Sequence, residues 1–337
     1  MLAFTLRRVL LLIPVLLVVT LVTFFLSHVV PGDPARLVAG LNAPQSQVDR
    51  MRHELGLDRP IVEQYGSYMS DLAQGDLGEA LSNGETVAAN LEEAFPATLE
   101  LALAALAISI LVGVPLGVIA AARRGRFVDH VSRLIAILGV ALPVFVIGIV
   151  LLLLLYYELG IFPSGNRVST EVVAAHPLRQ VTGLITVDAL LAGNFRVFVD
   201  ALWHLALPAF ALSLATVARV VRTTRTSMVE VLREPYVATA RAKGVPERRV
   251  IWRHALRNAL IPVATIVGIS FGYLLGGALL VEQIFDWPGL GSYALTSIRQ
   301  LDYNSIQGIT LIATLAFVLV NLAVDLLYAR LDPRIRL

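Results

Sequence analysis

Long apolar runs dominate the hydrophobic–polar pattern of this chain. Six of them reach the roughly 20 residues that a helix needs to cross a bilayer: Val9–Val30, Leu99–Ala122, Leu134–Tyr157, Ala201–Val217, Leu260–Val281 and Ile306–Tyr328. The fourth is the least regular, because Pro208 interrupts it and Trp203 and His204 sit at its start. It is retained because its neighbours need it for a consistent topology. Pro115, Pro143 and Pro208 are expected to kink their spans. The first run follows a basic start, as a secretory signal would. At 22 residues it exceeds the roughly 7–15-residue apolar core of a signal peptide and reads as a permanent anchor.

Composition agrees. Of 337 residues, 57% are hydrophobic and 15% charged, and the mean hydropathy is +0.75. A soluble domain carries about a quarter charged residues, so the balance excludes a disordered chain and argues against an ordinary soluble enzyme. Cys is absent, which excludes disulfides, thiolate metal sites and Cys nucleophiles. Of the 27 basic residues only Lys243 is a lysine.

Charge placement orients the spans. Nineteen basic residues fall in the N-terminal stretch, the second and fourth loops and the tail, with Arg219–Arg257 the densest group. The other side holds eight, spread over longer segments. The richer side is expected to be cytoplasmic, with both termini inside. Tyr156, Tyr157, Trp203, Phe285 and Trp287 are expected to form an aromatic belt at the outer span ends. Segment 31–98 carries 11 acidic and 4 basic residues. Pro60 opens a helix there, and Gln74–Gly78 reads as a turn. This segment is either a solvated cap or a docking surface for an outside partner.

The loop 228–262 holds the most specific local signal. Glu234-Pro235 opens a short helix, because a proline at the first helical position has no hydrogen bond to lose. Gly244 closes it in the left-handed cap conformation, and Pro246 blocks continuation. The helix is below the ~12–15 residues that stand alone in water. It therefore needs a surface, and its small side chains suit a cleft in another protein. A second helix near Glu247–Ala259 leads back to the membrane.

Tyr236-Val237-Ala238-Thr239-Ala240-Arg241-Ala242-Lys243-Gly244 resembles the coupling loop of ATP-binding-cassette importer permeases. Ala240 and Gly244 match the general family pattern; Ala238 and Thr239 replace its Glu and first Ala, and its later proline is missing at His254–Arg257. Those departures resemble the peptide and nickel branch. So do Pro31-Gly32-Asp33-Pro34-Ala35, Leu55–Pro60, Gly75-Asp76-Leu77-Gly78, Val281–Gly291 and Asp332-Pro333-Arg334.

The resemblance implies an all-α membrane protein of the type I importer permease (MetI-like) fold. It would comprise an anchor helix (1–30), an extracytoplasmic subdomain (31–98) between the first two of six spans, a core (95–328) with the coupling loop, and a tail (329–337). It implies a place in the inner membrane of a prokaryote and import of dipeptides or oligopeptides, with nickel or glutathione as alternatives. The implied partners are a second homologous permease, two ATPase subunits carrying ATP and Mg, and an extracytoplasmic binding protein. Tyr236, Thr239, Ala240, Arg241, Ala242, Lys243 and Gly244 would couple to the ATPase.

The chain itself cannot hold ATP by a P-loop, since its one lysine is not in the required Gly-Lys-Ser/Thr setting. No cofactor or metal is expected on it. Gly268, Gly272 and Gly276 recur every four residues in the fifth span. Such spacing permits close helix packing, either within the subunit or at a partner interface or pathway wall. Gly268-Ile269-Ser270-Phe271-Gly272 raises a rival reading, an intramembrane serine protease built on Ser270, which lacks an evident base. The six histidines are scattered, mid-span ion-coupling groups are not evident, and topology accounts for the arginine-rich loop without nucleic acid.

Overall fold

The computed structural model describes residues 2–29, 33–40 and 42–331. Among them there are helices and turns but no strand, apart from one isolated bridge between Glu79 and Thr86. The helices are α1 (Leu2–Val29), α2 (Pro34–Ala39), α3 (Gln45–Glu54), α4 (Ile61–Ala73), α5 (Val87–Ala122), α6 (Phe127–Ala141) and α7 (Val144–Leu151). A π-helical segment, Leu152–Glu158, prolongs α7. Then come α8 (Thr170–Ala175), α9 (Ile185–Leu191), α10 (Phe195–Val231), α11 (Pro235–Ala242) and α12 (Glu247–Arg249). A second π-helical segment, Val250–Ala255, joins α12 to α13 (Leu256–Ile284). The last two are α14 (Leu290–Arg299) and α15 (Tyr303–Leu331).

Four helices among the described residues are long and apolar enough to cross a membrane: 87–122, 195–231, 247–284 and 303–323. Such spans must be helical, because lipid offers no partner to a backbone N–H or C=O. Two further apolar stretches, 10–26 and 144–158, are shorter. The run expected as the third span is not one helix. It breaks at Leu142-Pro143, where Pro143 lacks the N–H that an interior helical residue must donate, and a new helix starts at Val144. Pro208 behaves differently: α10 runs through it for 37 residues. The helix also continues well past Val217, so Arg219, Arg222 and Arg225 lie on α10 and not in a loop.

The contacts divide the chain into two compact units. One comprises 97–288 with the chain from 319 onward. Its core gathers Ala97, Leu101 and Ala105 of α5, Leu205 and Leu212 of α10, and Phe271, Leu274 and Ala278 of α13. Phe285 and Trp287 are buried in that core, so they do not face lipid as belt residues should. The Trp287 indole also donates to the Ala97 carbonyl at 2.9 Å. Tyr156, Tyr157 and Trp203 are exposed, as a belt requires.

Helix α10 is the hub of this unit, and missing side chains let its neighbours approach. A Cβ built on Gly117 of α5 would stand 2.6 Å from Cβ of Thr224 and 2.9 Å from the Val221 carbonyl; one on Gly113 would stand 2.7 Å from Val220. The Gly113/Gly117 pair is thus a close-packing motif between α5 and α10. Gly268, Gly272 and Gly276 differ from one another. Gly268 is buried and Gly272 half-buried, whereas Gly276 is exposed with nothing within 4 Å of an added Cβ.

The second unit comprises 2–96 and 289–318. Phe24 of α1 stacks on Tyr68 and meets Tyr65 edge-on, both on α4. Val87 and Leu91 pack with Leu290 and Ile309. Buried Asp302 accepts from the Ser305 hydroxyl, which also meets the Tyr293 phenol. The expected helix after Pro60 and turn at 74–78 are both present, with Gly75 and Gly78 at positive φ.

Replacing Gly117 with Val should destabilise the protein by about 2 kcal/mol, the scale of core overpacking, because the added atoms meet backbone as well as side chain. Gly276→Ala should leave stability unchanged or slightly raised. Thermal unfolding of the two variants in detergent measures both.

Candidate functional site

Helix α11 forms as its termini dictate. Pro235 takes the first helical position after Glu234. Gly244 ends it at φ +74°, where a side chain would be strained. The short helix is not left to its own propensity. Val237 is fully buried, and α11 lies against the π-helical segment 250–255. The Tyr236 hydroxyl accepts from Asn258 Nδ2 of α13 at 2.8 Å. Across the Gly244–Pro246 turn, Arg241 forms a two-pronged ion pair with Glu247 at 2.7 and 3.0 Å. The hydrogen bonds from Arg241 to Glu247 raise the Arg241 pKa further. The Thr239 hydroxyl donates back to the Pro235 carbonyl.

What remains is an outward face. Ala238, Thr239, Arg241, Ala242, Lys243 and Gly244 are exposed, Tyr236 is partly so, and Ala240 is half-buried. The site residues expected from sequence thus fall into two roles. Tyr236 and Arg241 fasten α11 to its own chain. Ala238, Thr239, Ala242 and Lys243 present a surface of small side chains with one cation.

The π-helical segment that α11 lies against belongs to a hydrophobic cluster of Val118 and Ala121 from α5, Met228 from α10, and Ala255 and Ala259. Three helix ends therefore meet there. A buried carboxylate locks the adjoining corner. Asp129 of α6 is 0% exposed. It accepts from Arg225 Nε at 2.5 Å and Nη2 at 3.1 Å, from Arg133 Nη2 at 2.9 Å and from the Gly125 N–H at 3.0 Å. These bonds, the Arg225 pair foremost, hold the Asp129 pKa far below the ordinary carboxylate range, against a smaller opposing effect of burial. Arg133 and Arg225 are therefore structural partners as well as topological charges. The Asp129–Arg133 spacing of four is visible in the sequence; the Arg225 link, 96 residues away, is not.

The opposite end of the same unit is also tied by buried carboxylates. Glu100 accepts from Arg167 Nη2 at 2.6 Å and from the Thr186 N–H and hydroxyl at 2.8 and 2.6 Å. Glu282 accepts from the Thr98 hydroxyl at 2.5 Å. Asp188 gathers the N–H groups of Val181, Thr182 and Gly183. Burial raises its pKa, but these hydrogen bonds together outweigh that and leave it lowered. The long connection 159–194 is thereby pinned to α5 through Glu100 and folded on itself around Asp188 of its own helix α9.

Catalytic readings find no support in the geometry. Ser270 is buried, and its hydroxyl has no hydrogen-bond partner among the described residues. A serine without a neighbouring base is not activated. Ser169, His204 and Asp200 do cluster, yet Ser169 donates to Asp200 at 2.8 Å and His204 Nδ1 meets the Gly165 carbonyl at 2.7 Å. His204 Nε2 lies 3.1 Å from the Ser169 hydroxyl and 3.7 Å from Asp200, but that hydroxyl gives its proton to Asp200 and the far nitrogen of His204 faces a backbone carbonyl, so the cluster ties a loop to α10 and is not the Ser–His–carboxylate relay. Among the described residues no cluster of three His, Asp or Glu side chains is placed to hold a metal. The side chains of His28 and Asp325 lie outside the described residues.

Comparison with known proteins agrees with this geometry. Residues 113–337 match the model of the binding-protein-dependent transport system inner membrane component, and residues 1–102 match the model of its N-terminal region. The chain is 45% identical to the probable D,D-dipeptide transport system permease protein of Escherichia coli, over 94% of this chain and 92% of that protein. It is 43% identical to the dipeptide transport system permease protein of Alkalihalophilus pseudofirmus over the full length of both. A glutathione transport system permease protein of Escherichia coli is 39% identical over 100% of this chain and 99% of its own. The chain belongs to the binding-protein-dependent transport system inner membrane component family. It is a multi-pass inner-membrane permease subunit and not an enzyme.

Because folding lowers the Asp129 pKa, its stabilisation is fully present above the unfolded carboxylate value of about 3.9 and is lost as pH falls below that value. Asp129→Asn should cost about 2 kcal/mol at pH 7, less than the ~3–5 of a wholly buried pair, since Arg133 is half-exposed. It should also flatten the loss of stability as the pH falls from about 5 to about 3. Tryptophan fluorescence during thermal unfolding at several pH values reads both effects.

Proposed function

We propose that this chain is one of two permeases forming the translocation pathway of an ATP-driven peptide importer. The observation that carries the reading is the outward face of α11, a short helix fastened to its own chain on one side and exposed on the other. A lever of this kind needs a rigid root. Val237, the Asn258–Tyr236 bond and the Arg241–Glu247 pair supply it. The close junction of α5, α10 and α13 beside it would carry a push on α11 into the spans.

In this reading the chain crosses the membrane six times with both ends in the cytoplasm. Segments 10–26 and 144–158 supply the two shorter crossings. Residues 31–98 form an extracytoplasmic subdomain. A cavity of about 380 Å³ between this segment and the start of α15, lined by Glu54, Arg59, Asp71, Asp76, Tyr68 and Asn304, supports a docking role toward a binding protein. A second, homologous permease completes the pathway. Two ATPase subunits bind ATP and Mg and receive α11 in a groove. Closure of the ATPases on ATP would move α11 and open the pathway inward.

Relatives named for dipeptides at 43–45% identity favour peptides as substrate. The 39% identical relative named for glutathione, itself a tripeptide, keeps that cargo as a second reading. Selectivity would rest largely with the binding protein, because a peptide pathway has to pass many different side chains.

Purification in mild detergent should recover a second permease and P-loop ATPases with this chain; a chain that remains alone and without ATPase activity would refute the reading. Gly244→Val should strain the cap of α11 and leave the complex assembled, but reduce ATPase stimulation by the loaded binding protein at least several-fold. Full stimulation in that variant would remove α11 from the coupling role.

A further inference from the structure

One arginine lies where a lipid-facing helix would not tolerate it. Arg219 is half-exposed on α10. Its guanidinium sits over the ring of Tyr273 of α13, 4.7 Å from the centroid. Tyr273 is 63% exposed and lies within the apolar stretch Leu260–Val281. At 1.5 Å per residue it is about 20 Å from one end of that stretch and about 12 Å from the other. The register is independently fixed, because Leu212 of α10 reaches Gly277 of α13 and Ser109 of α5 donates to the Ser213 carbonyl. Arg219 therefore belongs to the middle of the bundle.

Its direction is equally telling. A helical side chain leans toward the N-terminus of its helix, and Arg219 Nε donates to the Ala215 carbonyl, one turn back, at 3.2 Å. This turns the cation inward along α10, away from the cluster of arginines that follows. An arginine facing lipid would extend toward the nearest interface instead. Its two terminal nitrogens make no hydrogen bond or ion pair among the described residues. A charge held so far from water is costly unless it faces an aqueous cavity. Thr265, Ile269, Tyr273 and Gly276 form the exposed stripe of α13 beside it.

We propose that Arg219, braced on Tyr273, lines the aqueous pathway and receives the C-terminal carboxylate of a passing peptide. This rests on the peptide-import reading above. The guanidinium fork matches a carboxylate, and each linear peptide presents one such group whatever its side chains. A cation here would serve a mixed cargo without reading its sequence.

The chain has no native cysteine, so Ile269→Cys introduces the one thiol of this chain, one turn from Tyr273, whose labelling is read by the mass of this subunit. In proteoliposomes holding the whole complex, this thiol should react with charged methanethiosulfonates. The anionic ethylsulfonate should be favoured over the cationic trimethylammonium reagent by about tenfold, as a nearby charge in partly aqueous surroundings dictates. Arg219→Gln should abolish that preference and lower ATP-driven dialanine uptake about tenfold, with Arg219→Lys intermediate and ATPase stimulation retained. The proposal fails if neither reagent labels the introduced thiol in any nucleotide state, if the preference survives in Arg219→Gln, or if that variant transports normally. It also fails if Arg219→Gln sheds the second permease, which would make Arg219 an interface residue. Failure of the import reading shows differently: the Ile269→Cys complex with Arg219 intact would take up no dialanine.

Discussion

A helix buried among others in a membrane gains little from hydrophobicity, since lipid is as apolar as its neighbours. What holds α10 at the centre of its unit is the distance at which other backbones can pass it. Gly113 and Gly117 bring α5 to within contact of Val220, Val221 and Thr224. Gly139 of α6 meets the Leu214 carbonyl in the same way. These crossings bring the ends of α5 and α10 side by side, where Val118, Ala121 and Met228 meet Ala255 and Ala259 at the start of α13.

Charges are sorted by the same geometry. Asp129 takes up Arg133 and Arg225, Glu100 takes up Arg167, and Glu247 takes up Arg241. Each pair fixes a helix end or a connection, and the buried carboxylates among them would be costly if left unpaired. Arg219 stands apart, stacked on an aromatic ring with its terminal nitrogens available.

The short helix and its glycine stop are legible in the sequence because Glu234-Pro235 and Gly244 are local signals that need no tertiary partner. The end of α10 is not. Hydropathy counts Arg219, Arg222 and Arg225 as loop, but Arg225 is neutralised by Asp129, which lies far earlier in the chain, and no window contains both. Both prolines are expected to kink their spans, yet the helix breaks outright at Pro143 and runs on through Pro208, because tertiary packing decides which of them the helix absorbs. Position at a span end assigns Phe285 and Trp287 to the belt; their burial against Ala97 depends on a long-range contact. The stripe at Gly268–Gly276 is the more conspicuous repeat, yet its last member stands in open space, while Gly113-x-x-x-Gly117, with the same spacing, lies directly against α10.

All basic side chains but one are arginines, and the exception, Lys243, stands exposed at the end of α11. An arginine keeps its proton at any pH a cell meets, whereas an ammonium can lose it and react. The chain therefore carries a single ε-amine, located on the face that any partner of α11 must cover. Acylation at that nitrogen would in effect be a footprint of occupancy: a partner seated on α11 would shield it, and no other lysine of this chain competes for the reagent.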